Sequence, residues 1–429
     1  MSLWKPVETY RAIIFILDGI GDRPLPELNN KTPLQVAYKP NMDYIASHGM
    51  TGIMDPIEPG VRPGTDTGHL AIFGYEPYLY YPGRGPLEAV GAGARLNPGD
   101  VAIRCNLATA IEKNRKLIII DRRAGRIKGE DAKLIIKTLN ENIKEVEGVK
   151  VEFYPATAHR VALVLRGKGL SPKISNSDPG TAMENNPIKE VRPLDSSLEA
   201  AKTARIVNKI IVETYRLLKD HPVNKRRESE GKLPANVILT RGAGMIPLAL
   251  KSFSERFNVR GYVIAEEDTI IGLARILGME TEVPDGATGD LETDTMSIAR
   301  RVVEVYNNYN VDILFVQIKG PDIAGHDANY EGKIKIIEKI DKMIEYILNN
   351  TNQEKTVYVL TADHSTPCNV RDHTGDPVPI AFMGPQCRVD DIKSYDELNC
   401  AKGIIGRIRG VNLIPIVLNQ MNRRLKFGE

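Results

Sequence analysis

Short apolar, β-branched runs bounded by turn residues recur along the chain: AIIFIL (Ala12 to Leu17), KLIII (Lys116 to Ile120), RVALVL (Arg160 to Leu165), NVILT (Asn236 to Thr240), DILFVQI (Asp312 to Ile318) and VYVLT (Val357 to Thr361). Runs without polar alternation predict strands buried on both faces. Between them, Ser196 to Leu218, Thr293 to Asn307 and Gly332 to Leu348 repeat their apolar residues at helical spacing. Strands alternating with helices in this way predict a doubly wound α/β fold with a parallel sheet.

In such sheets, chemistry gathers outside the carboxyl ends of the strands. Three of the runs stop on charged or metal-friendly residues: AIIFIL on Asp18, DILFVQI just before Lys319 and Asp322, and VYVLT just before Asp363 and His364. These ends are expected to share one edge. The first run lies near the N-terminus and the other two in the last third, so the stretch between them reads as an insertion of a smaller α/β domain. Its expected limits are 111–286, from the basic turn DRRAGR to PDGATGD, leaving 1–110 plus 287–429 as the domain that carries the strand ends. Within the insertion, the charged, Pro-containing stretch Lys219 to Asn236 reads as a loop.

Composition narrows the function without naming it. A chain of 429 residues exceeds one ordinary core, which favours two domains. Its 57 basic and 55 acidic side chains nearly cancel, so no whole-protein field points to nucleic acid or an anionic membrane. Any anion must be held locally. Cys105, Cys368, Cys387 and Cys400 lack disulfide or metal spacing and read as reduced thiols. AIIFIL is far short of the roughly 20 apolar residues that span a bilayer. The expectation is a cytoplasmic enzyme with a small-molecule substrate, without membrane or nucleic-acid partners; a homo-oligomer is compatible with the sequence.

Of only seven histidines, four sit in tight polar clusters: GTDTGH ending at His69, PDIAGH ending at His326, ADH ending at His364, and DHTGD containing His373. Imidazole and carboxylate together suit Zn, Mn, Fe or similar divalent ions, and several carboxylates let two cations sit close together. Asp322 and His326, four apart, would stack on one face of a helical turn and grip one ion. Asp363 and His364, adjacent at a strand end, suit a second; Asp18 adds a carboxylate and His373 an imidazole. Taken singly, each has an ordinary reading as a turn, cap or strand-end residue. Their coincidence at three strand ends is what favours a site.

PGTDTGH (Pro63 to His69) precedes the apolar LAIF, which places Thr65 at a helix N-terminus, where unpaired amides and the helix dipole stabilise an anion. Alone, the segment reads as a capping motif with Thr65 or Asp66 as the cap. Beside six candidate metal ligands, Thr65 reads as a metal-activated nucleophile. Asp66 and His69 either hold that nucleophile or position the helix.

These residues resemble the alkaline phosphatase superfamily and, within it, the archaeal-type 2,3-bisphosphoglycerate-independent phosphoglycerate mutases. The resemblance spans nearly the whole chain, through ILDGIGDRP, TPLQVAYKPNMD, PGTDTGH, GRGPLEAVGAG, DRRAGR, NVILTRGAG, KGPDIAGHD and TADHSTP. It implies an isomerase of glycolysis and gluconeogenesis that interconverts 3-phosphoglycerate and 2-phosphoglycerate through a phosphothreonine, without 2,3-bisphosphoglycerate. It implies two divalent ions (Mn, Zn, Mg or Co), one held by Asp322, His326 and His373, the other by Asp18, Asp363, His364 and Thr65. The family nucleophile is usually serine; threonine fills that role in some phosphodiesterase relatives. Lys319 would help neutralise the transferring oxyanion, and the insertion would serve as a lid.

Arginine forks match carboxylate and phosphate geometry. Among Arg122, Arg123, Arg126, Arg160 and Arg241, all beside predicted strand ends or Gly-rich turns, the expected substrate contacts are Arg122, Arg126 and Arg241. Asp178 in SNSDPG reads first as a turn aspartate. Fold and metals do not fix substrate, so a phosphatase, phosphodiesterase or other phosphomutase of the superfamily is the alternative. A metal-dependent binding protein is a further one, disfavoured because a binder has no use for a nucleophile.

Overall fold

The computed structural model describes residues 8–156, 158–180, 185–426 and 428. The chain divides into two compact units, Met1–Leu79 with Lys251–Glu429, and Tyr80–Leu250.

The first unit is built on an eight-stranded sheet. In spatial order its strands are Glu280–Glu282, Gly261–Ile264, Ile313–Ile318, Arg11–Leu17, Thr356–Thr361, Val378–Met383, Met50–Asp55 and Gly406–Arg409. Only Val378–Met383 runs against its neighbours. Ile13, Ile14, Phe15 and Ile16 are fully buried, as a strand covered on both faces requires. Each such side chain is worth about 1.5–3 kcal/mol of burial, so the centre of this sheet is its most secure part. Arg11–Leu17 pairs in parallel with Ile313–Ile318 and Thr356–Thr361, and the register sets Leu17 beside Ile318 and Ile16 beside Thr361. The three expected strand ends therefore do share one edge.

Helices cover the sheet by the same logic of pattern. Tyr330–Asn350 buries Lys333, Ile336, Ile337, Ile340, Met343, Ile344 and Ile347, one stripe at three-to-four spacing, with Asn329 as its N-cap. Lys333 is the one cation in that stripe.

The second unit has a six-stranded sheet that is antiparallel throughout. Val101–Lys113 is its axis and pairs with Lys116–Asp121, Arg160–Arg166 and Val237–Met245. Val149–Pro155 extends it from Arg160–Arg166 to Glu145–Val146. The long helix Leu198–Leu218 lays Ala204, Val207, Ile210 and Ile211 on its core.

Three expectations need correction. KLIII, RVALVL and NVILT form strands, but in the antiparallel sheet: β-branched content predicts a strand and carries no sign of direction. The expected seams at 110/111 and 286/287 lie at 79/80 and 250/251 instead. Val101–Lys113 runs straight through the first, and Gly261–Ile264 and Glu280–Glu282 belong to the large sheet, which moves the second. Finally, Lys219 to Asn236 contains a helix, Pro222–Ser229, because Pro222 sits at its first turn, where no amide is needed, and His221 caps it.

Candidate active site

The helix Thr65–Ile72 starts from an N-cap at Gly64, which puts Thr65 itself, not a capping side chain, at the first helical position. Its hydroxyl is buried 3.2 Å from His364 Nε2 and 3.4 Å from Lys319 Nζ. Asp18, the residue after the first strand, accepts from Gln317 Nε2 at 2.8 Å and from Lys319 Nζ at 3.3 Å. Asp322 and His326 lie on the short helix Gly320–His326, four apart as expected, with His326 Nε2 3.4 Å from Asp322 Oδ1. His373 Nε2 reaches the same oxygen at 3.5 Å, and its ring stacks on His364 at 3.6 Å between centroids.

Asp322, His326 and His373 thus converge on one point, and Asp18, Asp322 and His364 on another, each set with ligand atoms within 4.8 Å. Asp363 stands beside the second set, its Oδ2 3.2 Å from His364 Nε2. All seven residues singled out as candidate ligands, Thr65 included, therefore meet at this edge with Lys319.

The electrostatics suit cations. Burial and the neighbouring Asp363 push Asp18 well above the usual carboxylate range, although Lys319 opposes them. Burial also pushes against ionisation of Asp363, but His364 and His69 outweigh it and hold the group at about 2. Burial lowers Lys319, yet Asp18, Glu267, Asp322 and Asp363 more than compensate and keep it charged. Burial, partly offset by Asp363, takes His364 down to about 3, so its ring is neutral and a nitrogen lone pair is open. Three buried carboxylates face one ammonium here, and His69 Nε2 and Asp363 Oδ2 are buried without a hydrogen-bond partner. Such a donor set fits divalent metal ions, whose charge would offset the cost of burying these anions.

Several participants escaped the sequence reading. His69 was visible but ambiguous; its Nδ1 bonds the carbonyl of Thr65 at 2.7 Å and lies 3.3 Å from Asp363, so it ties helix to centre. Glu267 sits 3.2 Å from Lys319 Nζ, and Glu266 accepts the Lys319 amide at 2.7 Å. Their signal was the pair EE directly after GYVIA, a strand end like the other three.

The smaller unit gathers the opposite charge. Arg122 forks onto Asp178 at 2.6 and 2.7 Å, so Asp178 is more than a turn residue. Arg122, Asp178 and Arg241 line one cavity of about 800 Å³. Arg126 does not join them; it lies exposed on the turn Ala124–Arg126. Arg104, which the sequence reading overlooked, pairs directly with Arg241 across the sheet and meets Glu88 at 2.7 Å. Burial lowers His159 to about 4, with Arg123, Arg160, Arg104 and Arg241 adding to it. Glu88 Oε1, His159 Nδ1 and Arg241 Nε are buried without hydrogen-bond partners.

Comparison with known proteins decides the family. The chain is 48% identical over 418 residues to the 2,3-bisphosphoglycerate-independent phosphoglycerate mutase of Ignicoccus hospitalis, covering 97% of this chain and 99% of that one. The chain belongs to the 2,3-bisphosphoglycerate-independent phosphoglycerate mutases. The model of that family matches residues 46–224. A second member, from Methanothermobacter thermautotrophicus, is 47% identical over 97% of this chain and 100% of its own. Among solved structures, the cofactor-independent phosphoglycerate mutase of Thermoplasma acidophilum superposes with a TM-score of 0.75 at 34% identity, covering 96% of this chain and 99% of that one. A protein of Pyrococcus horikoshii gives 0.81 at 36% identity, covering 99% and 100%. As a member of this mutase family the chain is an isomerase. Among its described residues, no helix is long and apolar enough to cross a membrane.

Proposed function

We propose that the chain interconverts 3-phosphoglycerate and 2-phosphoglycerate through a phosphothreonine at Thr65, with two divalent metal ions at the carboxylate–imidazole centre. The observation that carries this reading is the placement of the Thr65 hydroxyl: buried, at a helix N-terminus, with Lys319 Nζ at 3.4 Å and an open His364 nitrogen at 3.2 Å. Asp322, His326 and His373 would hold one ion, and Asp18, Asp363, His364 and Thr65 the other. When bound, such ions supply Lewis acidity to the phosphoryl oxygens and lower the cost of an ionised hydroxyl.

In the first half-reaction the Thr65 hydroxyl gives up its proton and Oγ attacks phosphorus. The Oγ–P bond forms, the bond from phosphorus to the C3 oxygen breaks, and that oxygen takes up a proton. The glycerate turns within the site. Its C2 hydroxyl then loses its proton and attacks the phosphothreonine, the Oγ–P bond breaks, and Thr65 regains a proton. Lys319 stays charged throughout and faces the transferring oxygens, while the dipole of Thr65–Ile72 favours their negative charge. We assign substrate contact to Arg122 and Arg241, whose forks suit carboxylate or phosphate, and the role of a water-excluding lid to their unit.

The test is a phosphorus NMR time course on metal-stripped protein reconstituted with manganese, chelated before each spectrum, and given 3-phosphoglycerate. Formation of 2-phosphoglycerate that Thr65→Ala abolishes is the expected result. Release of inorganic phosphate alone would make the enzyme a phosphatase, and an untouched substrate would sink the reading.

A further inference from the structure

Thr366 lies two residues beyond His364, and neither its position in the sequence nor the family resemblance gives it a role. It is fully buried, and its hydroxyl meets two groups of the metal-binding centre at once: Asp322 Oδ1 at 2.6 Å and His364 Nδ1 at 3.0 Å. A hydroxyl has one proton to give. An ionised carboxylate can only accept, so the proton goes to Asp322, and the bond to His364 requires the ring to donate from Nδ1. A neutral imidazole that carries its proton on Nδ1 presents a lone pair at Nε2, the nitrogen that faces Thr65, Asp18 and Asp363.

The backbone around Thr366 fixes that hydroxyl in place. The Thr366 amide is shared between the carbonyls of Gly19 and Gly21 at 3.3 and 3.1 Å, and its own carbonyl accepts from the buried ammonium of Lys333 at 2.9 Å. Two glycines make the room. A Cβ on Gly19 would lie 2.6 Å from Thr366 Oγ1, and one on Gly325 would lie 2.8 Å from its Cγ2. Both stand beside candidate ligands, Asp18 and His326.

We infer that Thr366 is a positioning residue that holds His364 in the Nδ1–H tautomer and Asp322 in a fixed rotamer, so that one hydroxyl orients a ligand of each metal ion. This rests on the proposal that His364 and Asp322 bind metal. It requires nothing of Thr65. Partners of this kind typically set metal affinity by about 10- to 100-fold.

The experiment compares the full-length protein with Thr366→Val, which keeps the shape and removes the hydroxyl, and Thr366→Ser, which keeps the hydroxyl. Zinc is titrated into metal-stripped protein against a chelating dye. Nitrogen-15 histidine spectra of the zinc-loaded forms are recorded, with His364 assigned by its loss in His364→Gln. The expected result is a proton on Nδ1 and zinc on Nε2 in the wild type, zinc affinity reduced about 10- to 100-fold in Thr366→Val, and affinity largely kept in Thr366→Ser. A near-ultraviolet dichroism spectrum unchanged in Thr366→Val accompanies that result. Wild-type affinity and an unchanged Nδ1–H signal in Thr366→Val would overturn the inference, as would a proton on Nε2 in the wild type. Thr65→Ala is expected to keep the proton on His364 Nδ1, since the Thr366 hydroxyl that fixes it is untouched, whatever the loss of one ligand oxygen does to zinc affinity. A failure of the phosphothreonine reading is thereby told apart from a failure of this one, and a wild type that binds no zinc would remove both the metal centre and the inference.

Discussion

The two units solve opposite charge problems with different sheets. In the large unit, parallel strands deliver Asp18, Asp322, Asp363 and three imidazoles to one edge, an arrangement short of cations. In the small unit, antiparallel pairing sets Arg104 directly opposite Arg241, with Arg160 and Arg84 close enough to act on Glu88, an arrangement short of anions. Like charges paired across a sheet destabilise it, and buried carboxylates repel one another. Internal partners offset only part of each excess: Lys319 faces three carboxylates in one unit, and Glu88 and Asp178 meet Arg104 and Arg122 in the other. The difference matches the proposed division of labour, in which metal ions would sit at the parallel edge and the phosphorylated, carboxylate-bearing substrate at the arginine face.

The comparison is tested most severely at Thr65. Thr65→Ala is expected to lower kcat by roughly 10⁴- to 10⁶-fold, the scale for loss of a nucleophile, in a coupled assay of 2-phosphoglycerate formation. Replacing either Arg122 or Arg241 by Met takes away one charge-assisted contact of about 1.5–3 kcal/mol. The expected outcome is roughly a 10- to 100-fold loss in kcat/KM, carried by KM. Equal losses in kcat would place these arginines at the reacting atoms instead. Lys333→Met strands the fully buried Asp22 without its cation, 2.9 Å away, and is expected to cost the large unit about 3–5 kcal/mol. Denaturant titration measures this, and the double variant with Asp22→Asn is expected to recover most of it. Smallest of all, Arg126→Ala is expected to change kcat/KM by less than about twofold, since an exposed charge contributes little. A larger effect would return Arg126 to the substrate site.

The carboxylate–imidazole edge was legible because three runs of buried, β-branched residues each ended on a chemical group, and the sheet turned sequence distance into proximity. The arginine face was not legible in the same way. Arg122 and Arg241 were marked by the turns DRRAGR and TRGAG, but Arg104 sits in mid-strand within VAIRCNLATAIEK, where a single cation among apolar residues looks like a solvated edge. Only the register, which places it against Arg241, gives it meaning. Arg126 stands outside the cavity that Arg122 and Arg241 line for the converse reason: a Gly-rich turn offers no guarantee of which way its side chains point. Strand direction was equally hidden: RVALVL and NVILT are continuous apolar runs of the kind parallel sheets favour, yet both pair antiparallel with Val101–Lys113.

The discontinuous make-up of the large unit has a consequence for biosynthesis. Asp18 leaves the ribosome at the end of Arg11–Leu17, but His373, the last candidate ligand, follows 355 residues later (373 − 18). At about 5–20 residues per second, that is a wait of roughly 20–70 s for the finished centre. The Tyr80–Leu250 unit is complete well before then. Tyr75 Oη bonds the carbonyl of Lys251 at 3.0 Å, so the two chain ends that flank this unit belong next to each other. Once the small unit has folded, it shortens the loop that the first strand must close to reach Ile313–Ile318. The inserted unit thus acts as a clasp during synthesis, and the proposed metal centre is complete only after His373, with Val378–Met383 and Gly406–Arg409 of the same sheet still to be made.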